Sequence, residues 1–274
     1  MQEQSTDIDI VRVRHPLKLR ALAVAAVTQL TDHMVRITLR GADLADFHSE
    51  SFDDHVKLML PPAGVDRLSF PPAGPDGRPD WEGSGLPQPI MRDYTPRRID
   101  RAKCELDIDF ALHGSGPAAA WAAAARPGDA VHIGGPRGSM VVPRDLQWQW
   151  LIGDEAALPA IARRLEELDD AVAVTVVIET VDDGALPPLR LDGARRLIRV
   201  RRPADGGAAL ADAVRCLDTP TGRGHAFAAA ESRSVKAVRT VLAGHHRLRN
   251  TQIRAASYWR RGETAHHENL DNAG

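Results

Sequence analysis

Met91-Arg92-Asp93-Tyr94-Thr95-Pro96-Arg97-Arg98 is the stretch from which the rest of the chain is read. Pro96 disfavours helical geometry at Thr95, so the segment reads as a strand or a strand end. In an extended chain neighbouring side chains point to opposite faces, which sets Arg92 and Tyr94 on one side and Thr95 on the other. A guanidinium fork suits a pyrophosphate, a phenol ring can lie along a flat heterocycle, and a hydroxyl can hydrogen-bond a ring nitrogen. The plain alternative is a solvated basic strand, and four residues alone do not decide between the two.

Their surroundings weigh on the choice. Upstream, Val35, Ile37 and Leu39 alternate with Arg36, Thr38 and Arg40, and Val56, Leu58 and Leu60 alternate with His55, Lys57 and Met59. Downstream, Leu106, Ile108, Phe110 and Leu112 alternate with Glu105, Asp107 and Asp109. Each pattern predicts a half-buried strand. The last runs into His113-Gly114-Ser115-Gly116-Pro117, where Pro117 suits the first position of a helix reaching Ala125. Val131 and Ile133, a Gly-rich turn around Arg137, and Val141-Val142 complete this half. Short alternating strands separated by turn signals predict a small antiparallel β-barrel over residues 15–145. The Pro- and Gly-rich stretch 61–89 reads as a long surface loop, in which Trp81 either covers a flat ligand or pins the loop to the barrel wall.

The pattern then changes. Trp150-Leu151-Ile152 leads through Gly153-Asp154-Glu155 to a helix with Leu158, Ile161, Leu165 and Leu168 on one face. Val172–Ile178 is almost continuously β-branched, as in a strand buried on both faces. Leu197–Val200 and Ile253–Trp259 read as further strands, with helical spacing at Leu210, Val214 and Leu217 and again at Val235, Val238 and Leu242. Alternating strands and helices predict a parallel α/β sheet over residues 148–262, leaving 1–14 and 263–274 as flexible tails.

Composition bounds the function. The 274 residues suit two domains, and a hydrophobic share of 43% with 26% charged residues is that of an ordinary globular protein. A net charge of −2 supplies no basic field for nucleic acid, so affinity for an anion must come from local clusters. Cys104 and Cys216 are far apart, which excludes an iron–sulfur cluster held by four thiolates and suits a reducing compartment. No apolar run is long enough for membrane insertion, and the amino terminus lacks the basic start of a secretion signal, so a cytoplasmic protein is expected.

Taken in order, six stretches resemble one family: Asp53-Asp54-His55-Val56-Lys57-Leu58, Met91–Arg98, Asp107–Gly114, Gly116-Pro117-Ala118, Gly153–Ala160 and Tyr258-Trp259-Arg260-Arg261-Gly262. The chain is similar to the ferredoxin-reductase superfamily and, within it, to the siderophore-interacting proteins, flavin-dependent ferric-siderophore reductases. The resemblance implies FAD in the barrel, with Arg92 on the pyrophosphate, Tyr94 against the flavin or its ribityl chain, and Thr95 near the flavin N5. It adds Asp109, Phe110, Leu112, His113, Gly116, Pro117, Ala118, Asp154 and Trp259 to the cofactor set. Gly153, Glu155 and Leu158 would admit nicotinamide, although there is no GxGxxG fingerprint. Ala119, Ala156 and Ala230-Glu231 stand where the family usually carries Ser, Thr and Gly-Glu.

The activity implied is reduction of a ferric siderophore, releasing iron as Fe(II), with NADH, NADPH or a ferredoxin as donor. A flavin reductase serving another acceptor, or a siderophore-binding protein without turnover, are the alternatives. An anionic chelate calls for a cationic rim, for which Lys57, Arg137, Lys236 and Arg239 are the candidates, each equally readable as a surface charge. The run Arg195, Arg196, Arg199, Arg201, Arg202 reads as a strand edge guarded by charge. His245-His246 and His266-His267 lack metal-ligand spacing.

Overall fold

Alternation along the chain and pairing across it build the first half. In the computed structural model residues 8–72, 74, 79–112, 116–204, 208–262 and 268–270 are described. They divide into a unit of residues 12–140 and a unit formed by the residues from 141 onward with those before 12. The elements up to the division are β1 (Val11–Arg14), β2 (Leu19–Thr31), β3 (Met34–Arg40), β4 (Val56–Leu60), β5 (Ile90–Tyr94), β6 (Arg98–Asp100), β7 (Glu105–Ala111), α1 (Pro117–Ala124), β8 (Ala130–Gly134) and β9 (Gly138–Val141).

Strands β2 to β8 form one antiparallel sheet in the order β5-β4-β8-β2-β3-β7-β6. This is the antiparallel architecture expected. Every residue predicted to point inward on β3, β4, β7 and β8 lies in a single core, with Ala118 and Ala122 of α1 among them. Each such Val, Leu, Ile or Phe contributes about 1.5–3 kcal/mol through burial. The outer face of β7 is also covered, because its acids are matched across the strands. Glu105 pairs with Arg40, Asp107 with Thr38 and Arg98, and Asp109 with Arg36. Trp81 packs edge-on against Phe70 at 5.6 Å, and Phe70, in the same loop, lies 4.6 Å from His132 of β8 and ties the loop to the sheet.

The second unit contains β10 (Trp148–Asp154), α2 (Leu158–Glu167), β11 (Ala173–Thr180), β12 (Arg195–Arg201), α3 (Ala209–Arg215), β13 (Gly224–Glu231), α4 (Ser232–Thr240), β14 (Ile253–Trp259) and β15 (Glu268–Asn269). Its sheet runs β12-β11-β10-β13-β14-β15. The first five strands are parallel, and β15 adds an antiparallel edge. The α/β half is therefore as predicted.

The expected tails are shorter than their polarity suggested. β1 pairs with β9, Ile8 is only 4% exposed, and β15 joins β14. Backbone pairing and one apolar anchor suffice to dock a polar segment. No helix among the described residues is long and apolar enough to cross a membrane.

Candidate functional site

β5 pairs with β4 so that Arg92 stands opposite Leu58 and Tyr94 opposite Val56. Arg92 donates to the Met91 carbonyl at 2.8 Å and makes no ion pair among the described residues. Its guanidinium is therefore uncommitted, as a phosphate-binding group must be. The Tyr94 ring packs 4.3 Å from Phe110, tilted by 40°. Burial pushes its phenol above the usual range, against a smaller downward pull from Arg92. Thr95 is buried. α1 begins at Pro117 behind an extended Gly116, with no side chain among the described residues capping its free N–H groups. A Cβ on Gly116 would meet nothing within 4 Å among the described residues. An arginine that makes no ion pair among the described residues, a buried threonine after Tyr94 on the same segment and a helix N-terminus led by Gly116 fit a diphosphate-bearing flavin.

The other expected contact residues are placed as follows. Asp109 is buried with both carboxylate oxygens on Arg36, at 2.7 and 2.9 Å, and Arg97 stands 3.8 Å away, so it holds strands together instead of a cofactor. Phe110 is 0% exposed and supports Tyr94 from below. Leu112 leans on the same core and donates its N–H to the His33 carbonyl. His113 lies outside the described residues. Ala118 turns its methyl into the core, leaving its backbone for a ligand. Asp54, in the stretch that first suggested the family, accepts from Ser139, Ser49 and the Ser51 N–H, and so anchors its loop.

In the second unit Asp154, the last residue of β10, is 0% exposed. Its Oδ1 accepts from the Ala156 N–H at 3.0 Å, and its Oδ2 accepts from the Glu231 N–H at 3.0 Å and the Trp259 indole at 2.8 Å. Burial raises its carboxyl to about 6, although Arg202 and these donors pull it down. Asp154 thus ties the β10 end to β13 and β14. Leu158, 1% exposed, opens α2 facing inward and is unavailable to nicotinamide. Gly153 is required by packing: a Cβ there would sit 2.5 Å from the Ala157 Cβ and 2.6 Å from the Ala229 carbonyl. Glu155 accepts from the Val181 N–H and from Arg202. Trp259 is half-buried.

Sequence reasoning missed Arg202 and Arg195, because a run of arginines on an edge strand reads as solvated. Arg202 is buried among three acids, and Arg195 donates to the Leu165 and Leu168 carbonyls at the end of α2. Only partners distant in sequence reveal this.

The candidate rim divides between the units. Lys57 is exposed and paired with Asp93 at 2.7 Å, while exposed Arg137 makes no ion pair among the described residues. On α4, Lys236 pairs with Glu268 and Arg239 donates to Asn250. His246 bonds the Thr219 hydroxyl and the Val214 carbonyl, and its ring packs on Trp150, so it is part of the core. His266 and His267 lie outside the described residues.

Known proteins agree with both halves of this arrangement. The family model described as siderophore-interacting FAD-binding domain matches residues 23–140, and that described as siderophore-interacting protein matches residues 146–262. A siderophore utilization protein from T. fusca superposes with a TM-score of 0.85 at 34% identity, covering 97% of this chain and all of that one. A ferric vibriobactin reductase of Vibrio cholerae is 32% identical over 87% of this chain and 89% of its own length. An NADPH-dependent ferric-chelate reductase of Escherichia coli strain K12 is 44% identical over 57% of this chain and 60% of that protein.

Proposed function

The chain belongs to the siderophore-interacting protein family, and from that premise we propose that it is an FAD-dependent ferric-siderophore reductase using NAD(P)H. The observation that carries the reading is the Arg92 guanidinium, which makes no ion pair among the described residues, on the strand that carries Tyr94 and leads into the buried Thr95. Ferric iron is hard and is held tightly by anionic oxygen donors; one added electron weakens the chelate, so reduction is a release step. FAD, when bound, supplies the chemistry that accepts a hydride and gives up single electrons.

The chain's own residues do the rest. Arg92 and the first N–H groups of α1 would hold the diphosphate, Tyr94 would lie along the flavin, and the Thr95 hydroxyl would hydrogen-bond near its N5. Glu155 and Trp259 border the carboxyl edge of the parallel sheet, where an open α/β sheet takes its ligand, and would receive the nicotinamide. Lys57 and Arg137 would attract the anionic chelate, with Lys236 and Arg239 as further candidates. A reduced ferredoxin is the alternative donor. A cytoplasmic site of action accords with two free cysteines.

The visible spectrum tests this directly. The purified protein loaded with FAD is expected to show flavin bands that bleach with anaerobic NADPH and return on addition of a ferric siderophore. Bands that never bleach would move the donor to another carrier. A protein that takes up no FAD would overturn the proposal.

A further inference from the structure

Arg202 follows β12 at the end of an arginine run, yet its side chain is only 10% exposed. Its Nε donates to Glu179 Oε2 at 2.8 Å, and its Nη2 donates to Glu155 Oε2 at 2.6 Å and stands 3.6 Å from Asp154 Oδ2. Its Cζ also lies 5.6 Å from the centre of the Trp259 ring. The same indole donates its N–H to Asp154 Oδ2 at 2.8 Å. Trp259 is therefore held along its edge by a carboxylate and across its face by a guanidinium. The other partners of that guanidinium come from β10, from the residue after it, and from β11.

These groups gather at the carboxyl edge of the parallel sheet. Asp154 and Glu179 are fully buried there, and Glu155 is engaged by Arg202 and the Val181 N–H. Trp259 differs, since the residue is only half-buried. A flat aromatic surface suits a flat heterocycle. An indole already locked in place loses less freedom on binding than one free to rotate.

We propose that Arg202 is a positioning residue for the hydride donor, holding Trp259 as a fixed aromatic shelf on which the donor's affinity depends. The inference rests on the reading above that this edge receives a pyridine nucleotide. It requires a guanidinium: a planar fork can bridge several carboxylates while stacking on a ring, and an ammonium cannot.

The test uses the FAD-loaded protein and NADP⁺ as the probe, followed by titration calorimetry. Arg202→Lys keeps the charge and is expected to weaken NADP⁺ about tenfold, raising the KM for NADPH while changing kcat much less. Trp259→Phe is expected to weaken it similarly. The double variant should bind no worse than the weaker single one, because both changes remove the same shelf. Acrylamide quenching of the emission that Trp259→Phe removes should increase in Arg202→Lys. Wild-type affinity in Arg202→Lys, or losses that multiply in the double variant, would overturn the proposal. Should Arg202→Lys not fold, Glu179→Gln frees one arm of the same guanidinium and is expected to weaken NADP⁺ about threefold; unchanged affinity there would overturn it equally. A wild-type protein that neither binds NADP⁺ nor is bleached by NADPH would overturn the donor reading itself, which the variant comparison does not address.

Discussion

Arg92 and Asp154 show how one residue can be read correctly for chemistry or only for importance. Arg92 keeps its guanidinium free of acids, so its removal should cost ligand and not fold. Arg92→Ala is expected to lower FAD affinity by about 1.5–3 kcal/mol, the value of a charge-assisted hydrogen bond, with an unchanged urea midpoint for the flavin-free protein. Flavin retained after gel filtration measures the first quantity. Asp154 behaves differently, because burial raises its carboxyl from 3.8 to about 6. Between these values the folded protein binds a proton that the unfolded chain releases, so this group's contribution to stability falls as pH rises from about 4 to 6. Asp154→Asn should remove that slope, worth on the order of 2 kcal/mol across the window, as seen by urea unfolding at the two ends of it. A slope identical in wild type and variant would assign the proton elsewhere. The sequence marked both residues, but it could not say how Asp154 is held, since two of its three donors lie on β13 and β14.

At the scale of elements, β10 and α2 show what local pattern conveys. Their apolar periodicity predicted both, and α2 runs over Leu158–Glu167 as the spacing of Leu158, Ile161 and Leu165 requires. What ends α2 is distant: Arg195 donates to the Leu165 and Leu168 carbonyls, each at 2.8 Å, with its own side chain buried. Arg195→Met would strand buried carbonyls and is expected to cost about 3 kcal/mol in the urea-derived stability, where a solvated edge arginine would cost nothing measurable. Gly153 carries the join between β10 and α2. Gly153→Ala places a methyl against the Ala157 Cβ and the Ala229 carbonyl, and is expected to destabilise by about 1–3 kcal/mol. Equal stability of that variant would mean that the helix lead-in can shift.

For the whole molecule, the near-neutral net charge of −2 means that attraction for an anionic chelate must be local. Lys57→Glu is expected to raise the KM for an anionic ferric siderophore about tenfold at low ionic strength and by less at high salt, where exposed charges are screened. A KM independent of both charge and salt would remove Lys57 from the rim. The sequence by itself determined the two-part plan, because alternation of period two in one half and helical periodicity between buried strands in the other are properties of adjacent residues. It also singled out the Arg92-Asp93-Tyr94-Thr95 segment, whose chemistry is local. Tertiary structure alone decided which charges are free. Asp109, Asp154, Arg195 and Arg202 look like neighbours of Arg92 or Arg199 in composition, but each meets partners brought by other strands or, for Arg195, by the end of α2. A buried charge must be paired or hydrogen-bonded, and that pairing is made across the sheet, where sequence distance carries no signal.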